Sequence, residues 1–441
     1  MRADGPAVSR QAREVSLLSA MSSLRIAIVT NRFAPHVGGI ERQMALVGSG
    51  LARRGHQVTV LTRRYAPALP RRERLDALMV ERFGPSGQGV ISKWLVNLGT
   101  FRRLVRSRPA FDCALVTQFS ATIMGPALTH AVGRGVPMVV RPAEPGEFTG
   151  DVSRRSLSRL PLGMRRLVGT MIRGARGWAY RKAKVVVAIT ELLAREAEGF
   201  GFPPDSIVRI PNPLDTTLFR PATPGERDAL RATLGIPGCA RVVTFSGRLA
   251  LGKGVLTLAR AWKELAPMHP EALLVIVGSG PGPDSPLDEE QALRQYLRAE
   301  RLEQRVVLLG NRPDVERYLA ASDVFVFPSL PEVEGFGNAL AEAMACGVPV
   351  VASDIQCGSV DLMVEGEQGL KFEAGNPASL CARLHQLLLD EPARARMGAA
   401  GRRLAEERFG VDGAVEAYER ALRRAIEQES ASGGRATEAG S

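Results

Sequence analysis

The sequence predicts an α/β protein of two doubly wound, parallel-sheet domains joined by a short connector. Three observations carry that prediction. Short β-branched runs alternate with amphipathic stretches of about 10–15 residues, the pattern of parallel βαβ units. A proline-rich passage, IPNPLDTTLFRP (residues 210–221), interrupts the alternation near the middle, after which it restarts. At 441 residues the chain is long enough for each half to bury its own core.

In the first half, RIAIVT (residues 25–30) reads as a buried strand followed by a loop holding Gly38 and Gly39. Residues 40–54 carry a helical pattern stopped by Gly55, and QVTVLT (57–62) is the next strand. Further strands are expected at 113–117, 137–140 and 185–189. Beyond the connector come RVVTFSGR (241–248), a helix over 253–265, and LLVIVGSG (273–280). RVVLLG (305–310), DVFVFPS (323–329) and VPVVAS (348–353) follow as strands. The expected organisation is a disordered extension over 1–23, a first domain over 24–210 and a linker over 211–221. A second domain spans 222–410, a helix over 411–428 packs back on the first domain, and a small, polar tail over 429–441 is disordered.

Composition excludes several classes. No apolar run approaches the roughly 18 residues that span a bilayer, and residues 1–20 lack the apolar core of a secretory signal. Met21 offers an alternative start. The five cysteines are scattered, odd in number and free of CxxC spacing, which favours a reducing compartment over disulfides or zinc. The five histidines form no ligand motif, so no metal is expected. Charge is uneven: residues 1–215 carry net +18 and the remainder net −6, which suggests different partners for the two halves.

Ligands in doubly wound sheets bind beyond the carboxyl ends of the strands, so the loops there carry the chemistry. In SGRLALGKG (246–254), Arg248 and Lys253 flank a glycine-rich turn that opens a helix, a place suited to a diphosphate. Ordinary surface cations at a strand-to-helix turn would look the same. SDIQCGSVD (353–361) places Gly358 and Ser359 before another helix start, where free N–H groups can face phosphate oxygens. The Gly38–Gly39 pair is either a tight turn or a place where backbone approaches a ligand. GSGPG (278–282) lacks the GK[ST] of a phosphate loop and reads as a turn.

The most informative segment is EGFGNALAE (334–342). Good helix formers run from about Gly337 to Cys346, and Gly347 stops them. Glu334 therefore lies at a helix N-terminus, and Glu342 lies eight residues on, up to about 12 Å away along a helix. That is the scale of an extended nucleotide sugar. A solvated loop carboxylate and an exposed helix residue would fit the same pattern.

The segment resembles the Glu-x7-Glu motif of retaining glycosyltransferase family 4, which has the GT-B fold of two Rossmann-like domains and an interdomain cleft. The resemblance covers residues 24–428. NRFAPHVGGIERQMALVGSGLARRGHQVTVLT is similar to the family's first strand, glycine loop and helix. IPNPLDTTLFRP, with Asn212 and Asp215, is similar to its domain connection, and FSGRLALGKG to its diphosphate loop. The resemblance implies that Arg248 and Lys253 bind the donor diphosphate, Glu334 the sugar hydroxyls and Glu342 the ribose. Donor contacts are implied for Gly38, Gly39, Phe336, Gly337, Asn338, Gly358 and Ser359. It also implies retention by front-face attack with the leaving phosphate as base, without a carboxylate nucleophile, a metal or another cofactor. Two departures stand out. The family's Gly-Gly-x-Pro-Glu is Cys357-Gly358-Ser359-Val360-Asp361 here. The family's donor-contacting His is absent from RPAEPGEFTGD (141–151), leaving Glu144, Glu147 or Arg141 as replacements.

Residues 154–184 hold ten basic side chains and no acidic one, interleaved with Leu157, Leu160, Leu162, Met164, Leu167, Val168, Met171, Ile172 and Trp178. That composition suits an anionic membrane surface or an anionic acceptor; a solvated basic face over the core is equally compatible. Nucleic acid is not an expected partner, since aromatics make up 5% and no recognition motif occurs. The expectation is a cytoplasmic hexosyltransferase, or one on the inner face of a membrane, that uses a sugar nucleotide and a glycan or lipid-linked acceptor in polysaccharide or glycolipid synthesis. A sugar-nucleotide epimerase or hydrolase of the same fold, or a silent binding subunit, are the alternatives. If residues 154–184 contact membrane, the purified protein will bind anionic liposomes in a salt-sensitive way. Binding that is absent, or unaffected by neutralising those arginines, would contradict it.

Overall fold

The computed structural model describes residues 23–36, 38–85, 90–107, 110–117, 122–148, 162–282, 285–331, 334–356 and 359–438. Residues 1–22 of the extension predicted over 1–23, Gly358 and residues 154–161 of the basic stretch lie outside them. Ser23 already belongs to the fold, donating from Oγ to the Gly55 carbonyl at 2.7 Å.

Eight strands form the first sheet. They are β1 (Arg25–Val29), β2 (Gln57–Arg63), β3 (Arg72–Leu75), β4 (Leu78–Phe83), β5 (Cys113–Thr117), β6 (Met138–Arg141), β7 (Ala183–Ala188) and β8 (Ile207–Arg209). Their order is β3-β4-β2-β1-β5-β6-β7-β8. β1 lies parallel between β2 and β5, and only the edge strand β3 is seen to run antiparallel, against β4. β5, CALVT, is buried at every residue, as a central parallel strand must be. The β3–β4 hairpin was not expected from sequence. RERL alternates exposed and half-buried residues at a sheet edge and has no apolar run to announce it.

Six strands form the second sheet: β9 (Arg241–Ser246), β10 (Ala272–Val277), β11 (Val306–Leu308), β12 (Val324–Phe327), β13 (Val350–Ser353) and β14 (Gly369–Phe372). The order is β11-β10-β9-β12-β13-β14, and every pairing is parallel. Period-two alternation sends neighbouring side chains to opposite faces. Phe325 and Phe327 accordingly join one hydrophobic cluster, and Val324 and Val326 join another with Trp262 and Leu258. From β9 the chain builds β10 and β11 on one side, then returns to place β12 on the other. The strand order therefore reverses between β9 and β12.

The chain forms two compact units. One gathers Met1–Val140, Gly174–Val185 and Glu419–Ser441, and the other Arg141–Arg173 and Val186–Tyr418. The boundary thus differs from the sequence expectation near residue 210. Arg141 explains part of it: its guanidinium is fully buried, donates to the Tyr418 hydroxyl at 3.0 Å and to the Asn212 side chain, and ties this stretch to the second unit. The last helix, Val411–Glu438, also outruns its expected end at residue 428. From Glu419 on it belongs to the first unit. There Glu419 pairs with Arg54 at 2.7 Å, and Glu429 with Lys184 at 3.1 Å and His130 at 3.5 Å. Glu429, the first residue of the stretch that composition alone assigned to a tail, is thus paired and helical. Among the described residues no helix is long and apolar enough to cross a membrane.

At the start of β12, buried Asp323 meets Arg227 at 2.7 Å and Arg231 at 2.8 Å and accepts the Val242 N–H at 2.7 Å. Burial alone pushes its carboxyl up, but Arg227, the Val242 amide and Arg231 outweigh that and hold it below its ordinary value of 3.8. Removing the carboxylate leaves Arg231 buried and unpaired by charge. Asp323→Ala should cost about 3 kcal/mol in urea unfolding at neutral pH. Because the folded value is depressed, the difference is complete above pH 3.8 and fades as pH falls through the lower folded value. An unchanged unfolding midpoint would contradict the assignment.

Candidate functional site

The carboxyl ends of β9 and β12 sit at the reversal of strand order, where doubly wound sheets bind ligands. The loop after β9 carries Arg248 and Lys253, and the segment after β12 carries Glu334. The structure brings Lys253 and Glu334 together. Lys253 Nζ lies 2.5 Å from Glu334 Oε1, and Ser329 Oγ donates to the same oxygen at 2.6 Å. Ser353, ending β13, donates from Oγ to the Ser329 carbonyl at 2.5 Å. Glu334 is 8% exposed, so it is not a solvated loop carboxylate.

Glycine makes this approach of two loops sterically feasible. Gly254 adopts φ +69°, and a Cβ there would lie 1.9 Å from the Pro328 carbonyl oxygen. The Leu330 N–H bonds the Gly252 carbonyl at 2.7 Å, closing the two loops on each other. Gly335 is equally confined, since a Cβ there would lie 2.0 Å from the Ala143 carbonyl oxygen.

Arg248 differs from Lys253. It is exposed, and its guanidinium has no hydrogen-bond or ion-pair partner among the described residues. The Lys253 ammonium has three donors and can hold Glu334 while reaching a second anion. The helix Val255–Leu265 begins directly after Gly254, so its free N–H groups face the same region.

The other expected residues divide. Asn338 opens the helix Asn338–Ala345 and accepts a 2.8 Å bond from Asn212. Gly337 precedes it at φ +92°. Phe336 is 4% exposed and packs edge-on against Phe409 at 5.7 Å, so its ring is core and only its backbone is free to contact a ligand. Glu342 is buried on that helix beside Cys346, whose thiol is pushed up first by burial and then by the Glu342 charge. Ser359 begins the helix Ser359–Leu362. Asp361, in place of the family's Glu, accepts from the Glu191 N–H at 3.4 Å and lies 3.8 Å from Arg209.

Gly38 and Gly39 belong to the first unit, where Gly38 caps the helix Gly39–Arg53 without a side-chain bond. Glu41 folds back over that start, so a Cβ on Gly38 would lie 2.3 Å from its Oε2. The GSGPG turn holds its own carboxylates: Gly280 and Gly282 donate to Glu290 and Asp288, each at 2.8 Å. Its amides are thereby occupied, in keeping with an ordinary turn.

Ser329 and Ser353 were not singled out from sequence. The available signal was their position, each closing a buried strand of the second sheet. Of the three candidates for the missing histidine, two are committed internally. Arg141 is buried in the bonds described above, and Glu147 accepts the Ala143 N–H at 2.8 Å.

Residues 226–404 match the family model "Glycosyl transferases group 1", and residues 38–213 match "Glycosyl transferase 4-like domain". The chain belongs to this glycosyltransferase family. It is 36% identical over 217 residues to a GDP-mannose-dependent monoacylated alpha-(1-6)-phosphatidylinositol monomannoside mannosyltransferase of Corynebacterium glutamicum, covering 48% of this chain and 54% of that protein. It is 34% identical over 249 residues to a D-inositol 3-phosphate glycosyltransferase of Xylanimonas cellulosilytica, covering 53% and 57%. These matches span about half the length of the relatives. Among solved structures, the Anabaena Alr3699/HepE complex with UDP superposes with a TM-score of 0.70 at 21% identity, over 90% of this chain and 99% of that one. The sucrose-phosphate synthase of Thermosynechococcus elongatus gives 0.74 at 20% identity, over 92% and 100%. Both likenesses establish the GT-B fold.

Gly254→Ala is expected to lower stability by about 1–3 kcal/mol in urea unfolding, since β9 and β12 loops must separate to admit the methyl. A melt identical to that of the unsubstituted protein would contradict the close approach.

Proposed function

We propose that the chain is a retaining hexosyltransferase that moves a sugar from a nucleoside-diphosphate donor to a glycan or lipid-linked acceptor. The observation that carries this is the Lys253–Glu334 pair at the strand-order reversal, with the exposed Arg248 on the same loop as Lys253. In the reaction, an acceptor hydroxyl oxygen bonds to the anomeric carbon as the bond from that carbon to the diphosphate oxygen breaks. The departing diphosphate takes the hydroxyl proton. Arg248 and Lys253 stabilise the charge that develops on it, as preorganised cations do at leaving groups. Glu334, fixed by Lys253 and Ser329, orients sugar hydroxyls, and Glu342 serves the ribose.

The relatives named as GDP-mannose-dependent make GDP-mannose the first donor to test. The net +18 of residues 1–215 suits an anionic acceptor, such as an inositol-phosphate lipid at the cytoplasmic face of a membrane. Catalysis here needs no metal, because the two cations supply the countercharge.

The purified protein should release nucleoside diphosphate from one of GDP-mannose, UDP-glucose and ADP-glucose, dependent on added acceptor. Lys253→Met and Glu334→Gln should each lower kcat at least about 100-fold. Wild-type turnover in both variants would overturn the site.

A further inference from the structure

Among the described residues five arginines are buried, and four of them are met inside the protein. Arg82 pairs with Glu73 at 2.5 Å and donates to the Ala34 and Pro70 carbonyls. Arg141 bonds Tyr418 and Asn212, Arg231 pairs with Asp323, and Arg394 donates to the Leu387 and Leu388 carbonyls. Arg63, the last residue of β2, is the exception. It is 2% exposed, yet its guanidinium has no hydrogen-bond or ion-pair partner among the described residues. Burial holds its pKa below the ordinary value, and the nearby charge of Arg32 lowers it further. An uncompensated buried charge is strongly destabilising, so a guanidinium kept in that state points to an anion supplied from outside the chain.

Arg32 follows β1, and the parallel pairing of β1 with β2 brings both arginines to the carboxyl edge of the first sheet. Arg32 Nη1 donates to His36 Nε2 at 2.8 Å, and since arginine keeps its proton, that imidazole nitrogen is the acceptor. A neutral acceptor leaves the Arg32 charge in place, and its Nε is enclosed without a partner. His36 stands 3.7 Å from Glu41 and edge-on to Tyr65 at 5.6 Å, contacts that orient the ring against Arg32. With Arg82 committed to Glu73, Arg32 and Arg63 face only the carboxylate of Glu41, behind His36. Positive charge is in excess at this edge.

We infer that Arg63 and Arg32 form an anion site at the carboxyl edge of β1 and β2 that binds a phosphate group carried by the acceptor. This rests on the proposed transferase function and names the acceptor class as phosphate esters. One guanidinium fork saturates the two oxygens of a carboxylate, whereas a phosphate has oxygens for both forks. A soluble phosphate monoester and the phosphodiester headgroup of a lipid share that chemistry.

The test is calorimetric titration of the full chain with glycerol 3-phosphate and with glycerophosphoinositol, the diester headgroup. Glycerol and glycerate are the neutral and carboxylate controls. At least one ester should bind more tightly than either control, and the tighter ester identifies the source of the phosphate. Arg63→Met keeps the apolar stem and removes the charge. It should weaken that ester at least about tenfold while the Kd for GDP and UDP stays within about twofold. Its thermal midpoint should equal or exceed that of the unsubstituted protein, because an unmet buried charge is relieved. Arg32→Met, at a half-buried position, should weaken the same ester. Unchanged ester affinity in Arg63→Met overturns the site, as does equal loss of GDP or UDP binding. Glycerate bound as tightly as the esters, or neither ester bound, overturns it too. Wild-type protein that binds the ester yet releases no nucleoside diphosphate in its presence from GDP-mannose, UDP-glucose or ADP-glucose overturns the transferase function and leaves the anion site standing.

Discussion

The second unit is organised around one ion pair, between Lys253 in the loop after β9 and Glu334 in the segment after β12. A buried carboxylate is tolerated only when its charge and lone pairs are met. Lys253 and Ser329 meet them on one oxygen, and Ser353 fixes the backbone that carries Ser329. The pair in turn requires Gly254, because any side chain there would strike the Pro328 carbonyl. Parallel pairing of β9 with β12 brings the two loops to the same edge. Fold, loop sterics and charge thus converge on one point.

Much of this was legible in the sequence. The β-branched runs locate β1, β5, β9, β10 and β12 closely, since burial on both faces writes itself as a continuous apolar segment. Arg248, Lys253 and Glu334 are singled out by the resemblance to glycosyltransferase family 4; glycine-flanked positions after those strands leave ordinary surface residues equally open. The edge hairpin β3–β4 was not legible, because an exposed charged strand has no hydrophobic period. Nor was the partition of the chain into units. It depends on a buried arginine, Arg141, that composition cannot distinguish from the other arginines nearby in the sequence. Pairing of Lys253 with Glu334, 81 residues apart, is a tertiary fact that only the fold supplies.

The loop after β6 shows how structure narrows choices that sequence leaves open. Arg141, Glu144 and Glu147 are within seven positions of each other and equally polar. Arg141 is fully buried and bonded, Glu147 closes its own turn, and Glu144 alone faces solvent next to Gly335. Two of three similar candidates are thereby structural residues. The same division applies to Phe336, whose ring is core while its backbone lines the turn.

The central claim is that the β9 loop and the Glu334 segment form one donor site. A crystal structure with UDP or GDP bound tests it most directly. The account predicts diphosphate oxygens within about 3 Å of the Arg248 guanidinium and the Lys253 ammonium, with Lys253 still bonded to Glu334. A nucleotide bound elsewhere, with Arg248 and Lys253 contacting no phosphate, would contradict it.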